Sequence, residues 1–110
     1  MDPHRLAEAR SRAYHRLIAE RLTSAMIAAA RAQLDRWVTQ GAALHPTYAE
    51  AWRRLLDGPL DDVRAVLVGD DEQSATLRQV SPFAGMLSPR ERWALWRRVR
   101  DEVEAREARP

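Results

Sequence analysis

Cysteine is absent from the 110 residues. That excludes disulfides, thiolate metal sites and thiol nucleophiles together, and it fits a reducing compartment; a cytoplasmic location is the expectation. Lysine is absent too, because all 18 basic residues are arginine. A GC-rich coding sequence accounts for the bias. Its physical consequence is that any anionic partner would be gripped by planar guanidinium forks. No apolar run approaches the roughly 20 residues that span a bilayer, so no membrane association is expected. The opening Met1-Asp2-Pro3-His4-Arg5 leads into no apolar signal core, which argues against secretion. There is no period-2 run of β-branched residues, no internal repeat, no glycine-rich phosphate loop and no nucleophile elbow. Histidine is confined to His4, His15 and His45. No two of these have metal-ligand spacing, so all three are expected at surface or structural positions. Catalytic residues, a metal and a cofactor are therefore not expected, and the chain is not expected to be an enzyme.

What remains is amphipathic helix. Asp2 and Pro3 are a cap and a first-turn proline. Leu6, Ala9, Ala13, Leu17 and Ile18 then form an apolar stripe, and Ile27, Ala30, Leu34, Trp37 and Val38 form another. Thr23 or Ser24 can cap a second helix, which predicts a kink or break between the stripes. Residues 3–40 are thus one long helix or a helix pair, stopped at Gly41. Pro46 opens a third helix with Tyr48, Ala51, Trp52, Leu55 and Leu56 on one face. A fourth follows Pro59, with Leu60, Val63, Val66 and Leu67 inward. A short fifth is capped by Asp70 or Asp71. The last starts at Ser88, with Pro89 at its first position and Glu91 completing a capping box, and runs to about Glu107. The expected fold is all-α: a compact bundle of five or six helices in a single domain spanning residues 1–110.

The net charge is +2, but it is unevenly spread. Residues 1–40 carry seven Arg and four acids, residues 41–86 four Arg and seven acids, and residues 87–110 seven Arg and five acids. Internal complementarity between basic ends and acidic middle is the simpler explanation, and a basic binding surface the sharper one. On the last helix, Arg97–Asp101, Arg98–Glu102 and Arg100–Glu104 have i, i+4 spacing, which predicts a salt-bridged solvent face rather than a phosphate-binding one. Arg92 falls among Trp93, Trp96, Val99 and Val103 on the helical wheel. It is expected to be a buried charge needing a carboxylate or an indole, and Arg78 raises the same question. The acidic residues Asp61, Asp62, Asp70, Asp71 and Glu72 are the expected caps and partners. Four tryptophans are a high load, and either Trp93 or Trp96 is a candidate for facing a partner.

The most distinctive segment is Ser81-Pro82-Phe83-Ala84-Gly85-Met86-Leu87, a stiffened connection that is apolar where loops are usually polar. Ser81, Pro82, Phe83, Gly85 and Leu87 are expected to form a structural loop, with Phe83 and Leu87 packing into the core and pinning the last helix.

Three stretches carry a resemblance: His15–Leu22, Ala43–Trp52 and Leu77–Gly85. Together they resemble a family of small bacterial proteins associated with mobile and defence loci, including toxin–antitoxin operons. The signature is Leu77-Arg78-Gln79-Val80-Ser81-Pro82-Phe83-Ala84-Gly85, with Val80 where the family pattern has Ser. The resemblance implies a small helical antitoxin that holds a cognate protein inactive by helix-mediated occlusion. A nucleotide-using toxin would suit such a partner, because Arg5, Arg10, Arg12 and Arg16 could occupy phosphate subsites if the first helix protrudes. The alternatives are a DNA-binding or accessory regulator, with nucleic acid a secondary partner, and a homodimeric or homo-oligomeric helical protein.

Overall fold

The computed structural model describes residues 2–109, and among these residues it is all helix and loop. Six helices follow in order: α1 Pro3–Arg21, α2 Ser24–Thr39, α3 Pro46–Asp57, α4 Leu60–Val68, α5 Glu72–Gln79 and α6 Pro89–Glu107. Helix starts are set by local capping chemistry. Asp2 accepts from the His4 amide, Thr23 from Met26, the His45 ring from Thr47, Asp71 from Ser74 and Ser88 from Glu91. Each bond satisfies an amide that the first helical turn leaves without a partner. The first forty residues are a helix pair broken at Leu22–Thr23, and Gly41 terminates the second member with φ +69°. At Ser88 the capping box is closed by the Ser88 hydroxyl itself, which also donates to the Glu91 carboxylate at 3.3 Å. Arg21 bonds the same carboxylate at 2.6 Å and ties the end of α1 to the start of α6.

Helix α1 is the hub. It lies between α6 and α4 and touches α5, while α2 packs on α3 and α3 on α4. Its burial therefore covers more than one stripe. Leu6 and Ile18 are buried as the apolar spacing requires, but so are Tyr14, His15 and Ala19. The protruding first helix that would free its arginines for a partner is not found. The described residues have extents of 47 × 26 × 25 Å, longer than either 19-residue helix, α1 or α6, spans alone at about 28 Å.

Three sequence expectations are corrected at helix ends. Val38 is 51% exposed and Leu60 is 36% exposed, because each sits on a terminal turn beyond the reach of the neighbouring helix. On α6 the core stripe is Leu95, Val99 and Val103. Arg92 continues that stripe by helical spacing but opens onto the surface beside Tyr14 and is exposed rather than buried. The i, i+4 pairing on α6 is also sparser than its spacing suggests. Arg98–Glu102 forms at 3.6 Å, whereas Arg97 lies over the Trp93 ring, 6.0 Å from its centroid.

The apolar loop behaves as its composition requires. Ser81, Pro82, Phe83 and Leu87 are buried. Phe83 meets Trp52 edge-on at 5.9 Å, a pairing that adds about 0.5–1.5 kcal/mol to the area both rings bury. The Trp52 indole N–H donates to the Leu77 carbonyl at 3.0 Å, fixing the end of α5. The Tyr14 hydroxyl donates to the Phe83 carbonyl and accepts from the Met86 amide at 3.0 Å, so one side chain of α1 bridges both arms of the turn. Between them Gly85 has φ +81°, a left-handed conformation that glycine adopts without steric cost.

Candidate functional site

The Tyr14 bridge places the loop beside α1 and α6, and an open cleft of about 610 Å³ lies between them. Tyr14, Trp37 and Trp96 give it aromatic walls, and Arg10, Arg78 and Arg92 give it charge. Among the described residues no carboxylate lines it, although the chain holds 16 acids. Ser81 and Gly85 contribute one edge. The geometry thus brings together four of the residues singled out in the sequence (Arg10, Arg78, Arg92 and Trp96) with part of the distinctive loop.

Each arginine is held differently. Arg10 lies over the Trp96 indole, with its guanidinium carbon 5.8 Å from the ring centroid. Its Nε is buried and makes no hydrogen bond. Arg78 is a buried charge, as expected, but its partners are not acids. Its Nη1 donates to the Val66 carbonyl at 2.8 Å and the Gly69 carbonyl at 2.7 Å, capping the C-terminal end of α4. Burial, and then the neighbouring Arg12 guanidinium, pull Arg78 down from its ordinary value. A guanidinium nevertheless remains charged in a protein. Arg92 reaches the mouth of the cleft from α6 and is solvated.

His15 forms part of the wall and is 4% exposed. Its Nδ1 lies 2.8 Å from the Ser11 carbonyl. A carbonyl can only accept, so Nδ1 carries the proton and Nε2 presents a lone pair. That Nε2 is buried without a partner. Burial is the main reason the ring is pushed down to about 4, with Arg78 adding to the effect, so His15 is neutral at pH 7. Beneath the cleft surface, therefore, lie a buried donor without a partner, Arg10 Nε, and a buried acceptor without a partner, His15 Nε2, both closed off from the cleft itself. Each such group costs about 1–3 kcal/mol while it goes unsatisfied. Nucleophilic chemistry is poorly served. The Ser11 hydroxyl is 3.4 Å from Nδ1, the protonated nitrogen, which cannot act as its base.

The other candidates lie elsewhere. Arg12 pairs with Asp70 at 3.6 Å. Arg5 and Arg16 sit in smaller depressions along the α1–α6 seam, each beside Arg106. Trp93 points away from the core on the outer face of α6 and is 64% exposed. Tyr14, His15 and Trp37 were not singled out in the sequence as site residues. The available signal was helical spacing, since Tyr14 and His15 are four residues before the buried Ile18 and Ala19.

No protein-family profile matches the chain, and no curated protein or solved structure shows significant similarity to it.

Proposed function

We propose that this protein is a binding module for another protein, with its contact surface centred on the first half of α6. Trp93 carries the proposal. A tryptophan 64% exposed on a rigid helix, with Arg97 lying over its ring, combines the two residue types most enriched at the energetic centres of interfaces. The surrounding charge fits an acidic partner. Between Pro89 and Arg98 there are four arginines, at 90, 92, 97 and 98, of which Arg98 pairs with Glu102, and a single acid, Glu91, which is already engaged by Arg21. The resemblance of Leu77–Gly85 to helical proteins of toxin–antitoxin loci supports the narrower form of the proposal. In that form the chain is an antitoxin, and the bound protein is a toxin kept inactive. With α1 packed into the body, occlusion falls to α6 rather than to a free N-terminal helix.

The test is co-expression with the product of the adjacent gene, followed by affinity measurement on purified proteins. Trp93→Ala should weaken the complex by about 30-fold or more, as expected of an interface hot spot, with an unchanged circular dichroism melt. Wild-type affinity for Trp93→Ala would reject the surface. A chain that purifies alone as a homodimer broken by Trp93→Ala would replace the heterologous partner with a second copy. Duplex DNA binding that falls steeply with salt would favour the nucleic-acid alternative.

A further inference from the structure

The accessible surface of the cleft is basic and apolar together. Arg92 is exposed at its mouth and, among the described residues, forms no ion pair. Deeper in the wall the Val66 and Gly69 carbonyls hold Arg78 and the Trp96 indole holds Arg10, and neither kind of partner cancels a positive charge. Trp37, Val80 and Trp96 are half-buried and Ala84 is exposed, so apolar surface is open to an incoming group. The chain carries the complement at the start of α4. There Asp57-Gly58-Pro59-Leu60-Asp61-Asp62 sets a 36% exposed leucine among three exposed aspartates. Asp57 and Asp61 pair with Arg31 and Arg64, whereas Asp62 has no ion pair among the described residues. None of these six residues lines the cleft.

We infer that the cleft is a docking site for a second copy of this chain, which inserts the first turn of α4: Leu60 meets Trp37 and Trp96, and Asp62 meets Arg92. The leucine covers the apolar wall, and the carboxylate answers the uncancelled charge. An extended polyanion fits less well, because the adjoining depression, which shares Ala7, Ser11, Arg78 and Gln79 with the cleft, contains Glu8. The two surfaces differ, so the contact is head-to-tail: each copy can receive one neighbour and insert into another. One helical turn in one cleft is a small interface, which places the dissociation constant at roughly 100 μM and makes charge the source of its selectivity. Trp93 takes no part in this contact, which stands apart from the surface proposed above.

Sedimentation velocity of the full chain from about 10 to about 500 μM is the test, because self-association follows protomer concentration. In about 50 mM salt the average mass should rise with concentration, and about 500 mM salt should suppress the rise. Arg92→Glu and Asp62→Arg, both at exposed positions, should each weaken association about tenfold or more with unchanged melting. The two variants mixed, or both changes in one chain, should regain it, since opposite charges again face each other. In the ¹⁵N-labelled chain the indole N–H signals of Trp37 and Trp96 should move on dilution. Those of Trp52, bonded to the Leu77 carbonyl, and of Trp93, on the outer face, should stay in place. The inference is overturned if the wild type stays monomeric at about 500 μM, if the charge swap fails to restore association, or if Trp93→Ala abolishes association while Arg92→Glu does not. Shifts of Trp37 and Trp96 on adding a short oligothymidylate, with none on self-dilution, would instead assign the cleft to nucleic acid.

Discussion

Removing one oxygen atom from Tyr14 should cost a substantial fraction of the stability of this protein. In Tyr14→Phe the ring remains, so its edge contact with His15 at 5.2 Å and its tilted contact with Trp96 at 6.3 Å are retained. What disappears is the hydroxyl that spans the Pro82–Gly85 turn. The Phe83 carbonyl, in a residue with no exposed surface, loses its donor. The Met86 amide, in a half-buried residue, loses its acceptor. A buried unsatisfied group costs about 1–3 kcal/mol, and the half-buried amide recovers part of its share from water. The sum is about 2–4 kcal/mol, out of the 5–15 kcal/mol typical of a domain. At about 4 °C per kcal/mol, the melting temperature should fall by roughly 8–16 °C. Urea unfolding followed by circular dichroism gives the free energy, and hydrogen exchange at the Met86 amide reports the local effect. A loss below about 0.5 kcal/mol, or unchanged protection at Met86, would mean that the turn holds its shape without α1.

The glycines separate steric crowding from backbone strain. At Gly69 an added Cβ would lie 2.8 Å from the Ala65 carbonyl and 2.7 Å from the Ser74 hydroxyl, so Gly69→Ala should destabilise by about 1–3 kcal/mol despite an ordinary φ of −67°. Gly85→Ala meets no atom within 4 Å but must hold φ +81°, which should cost about 1–2 kcal/mol. Equal stability of either variant and wild type in urea would contradict the corresponding argument. His15 makes stability depend on pH with a defined sign. Its folded value is depressed from 6.5 to about 4, so its contribution is full above pH 6.5 and is lost as pH falls from 6.5 towards 4. The span amounts to about 3 kcal/mol. His15→Gln should flatten urea stability across that window, and a ring titrating near 6.5 by NMR would refute the assignment. Arg78→Met should cost about 2–4 kcal/mol and loosen the end of α4, because the Val66 and Gly69 carbonyls lose charge-assisted bonds. An unchanged denaturation midpoint would show that water replaces them.

The parts of this fold that were legible in the sequence are those written in a few consecutive residues. Asp2, Thr23, Asp71 and Ser88 announce helix starts because a cap bonds an amide two or three positions away, and Phe83 announced its own burial by standing in a stiff apolar loop. The candidate cleft was only half legible. Arg10, Arg78, Arg92 and Trp96 drew attention singly, but their assembly depends on the approach of α1 to α6 and to the turn. Tyr14 passed as an ordinary helical tyrosine because its bonding partners lie 69 and 72 residues away. Helical periodicity misplaced Val38 and Leu60 for one shared reason. It gives the face of a helix that points inward, but not how far along that face the neighbouring helix extends.

The Tyr14 bridge also has a consequence for synthesis. Helix α1 is made first, yet the groups that satisfy its hydroxyl and cover its core face come from the turn and from α6. At 5–20 residues per second, the 72 residues between Tyr14 and Met86 take roughly 4–14 s to translate. Through that interval the apolar surface of α1 that faces α6 lacks the helix that covers it in the finished fold. The nascent protein therefore passes through a stage at which it depends on its surroundings, chaperone or ribosome surface, far more than the finished fold does.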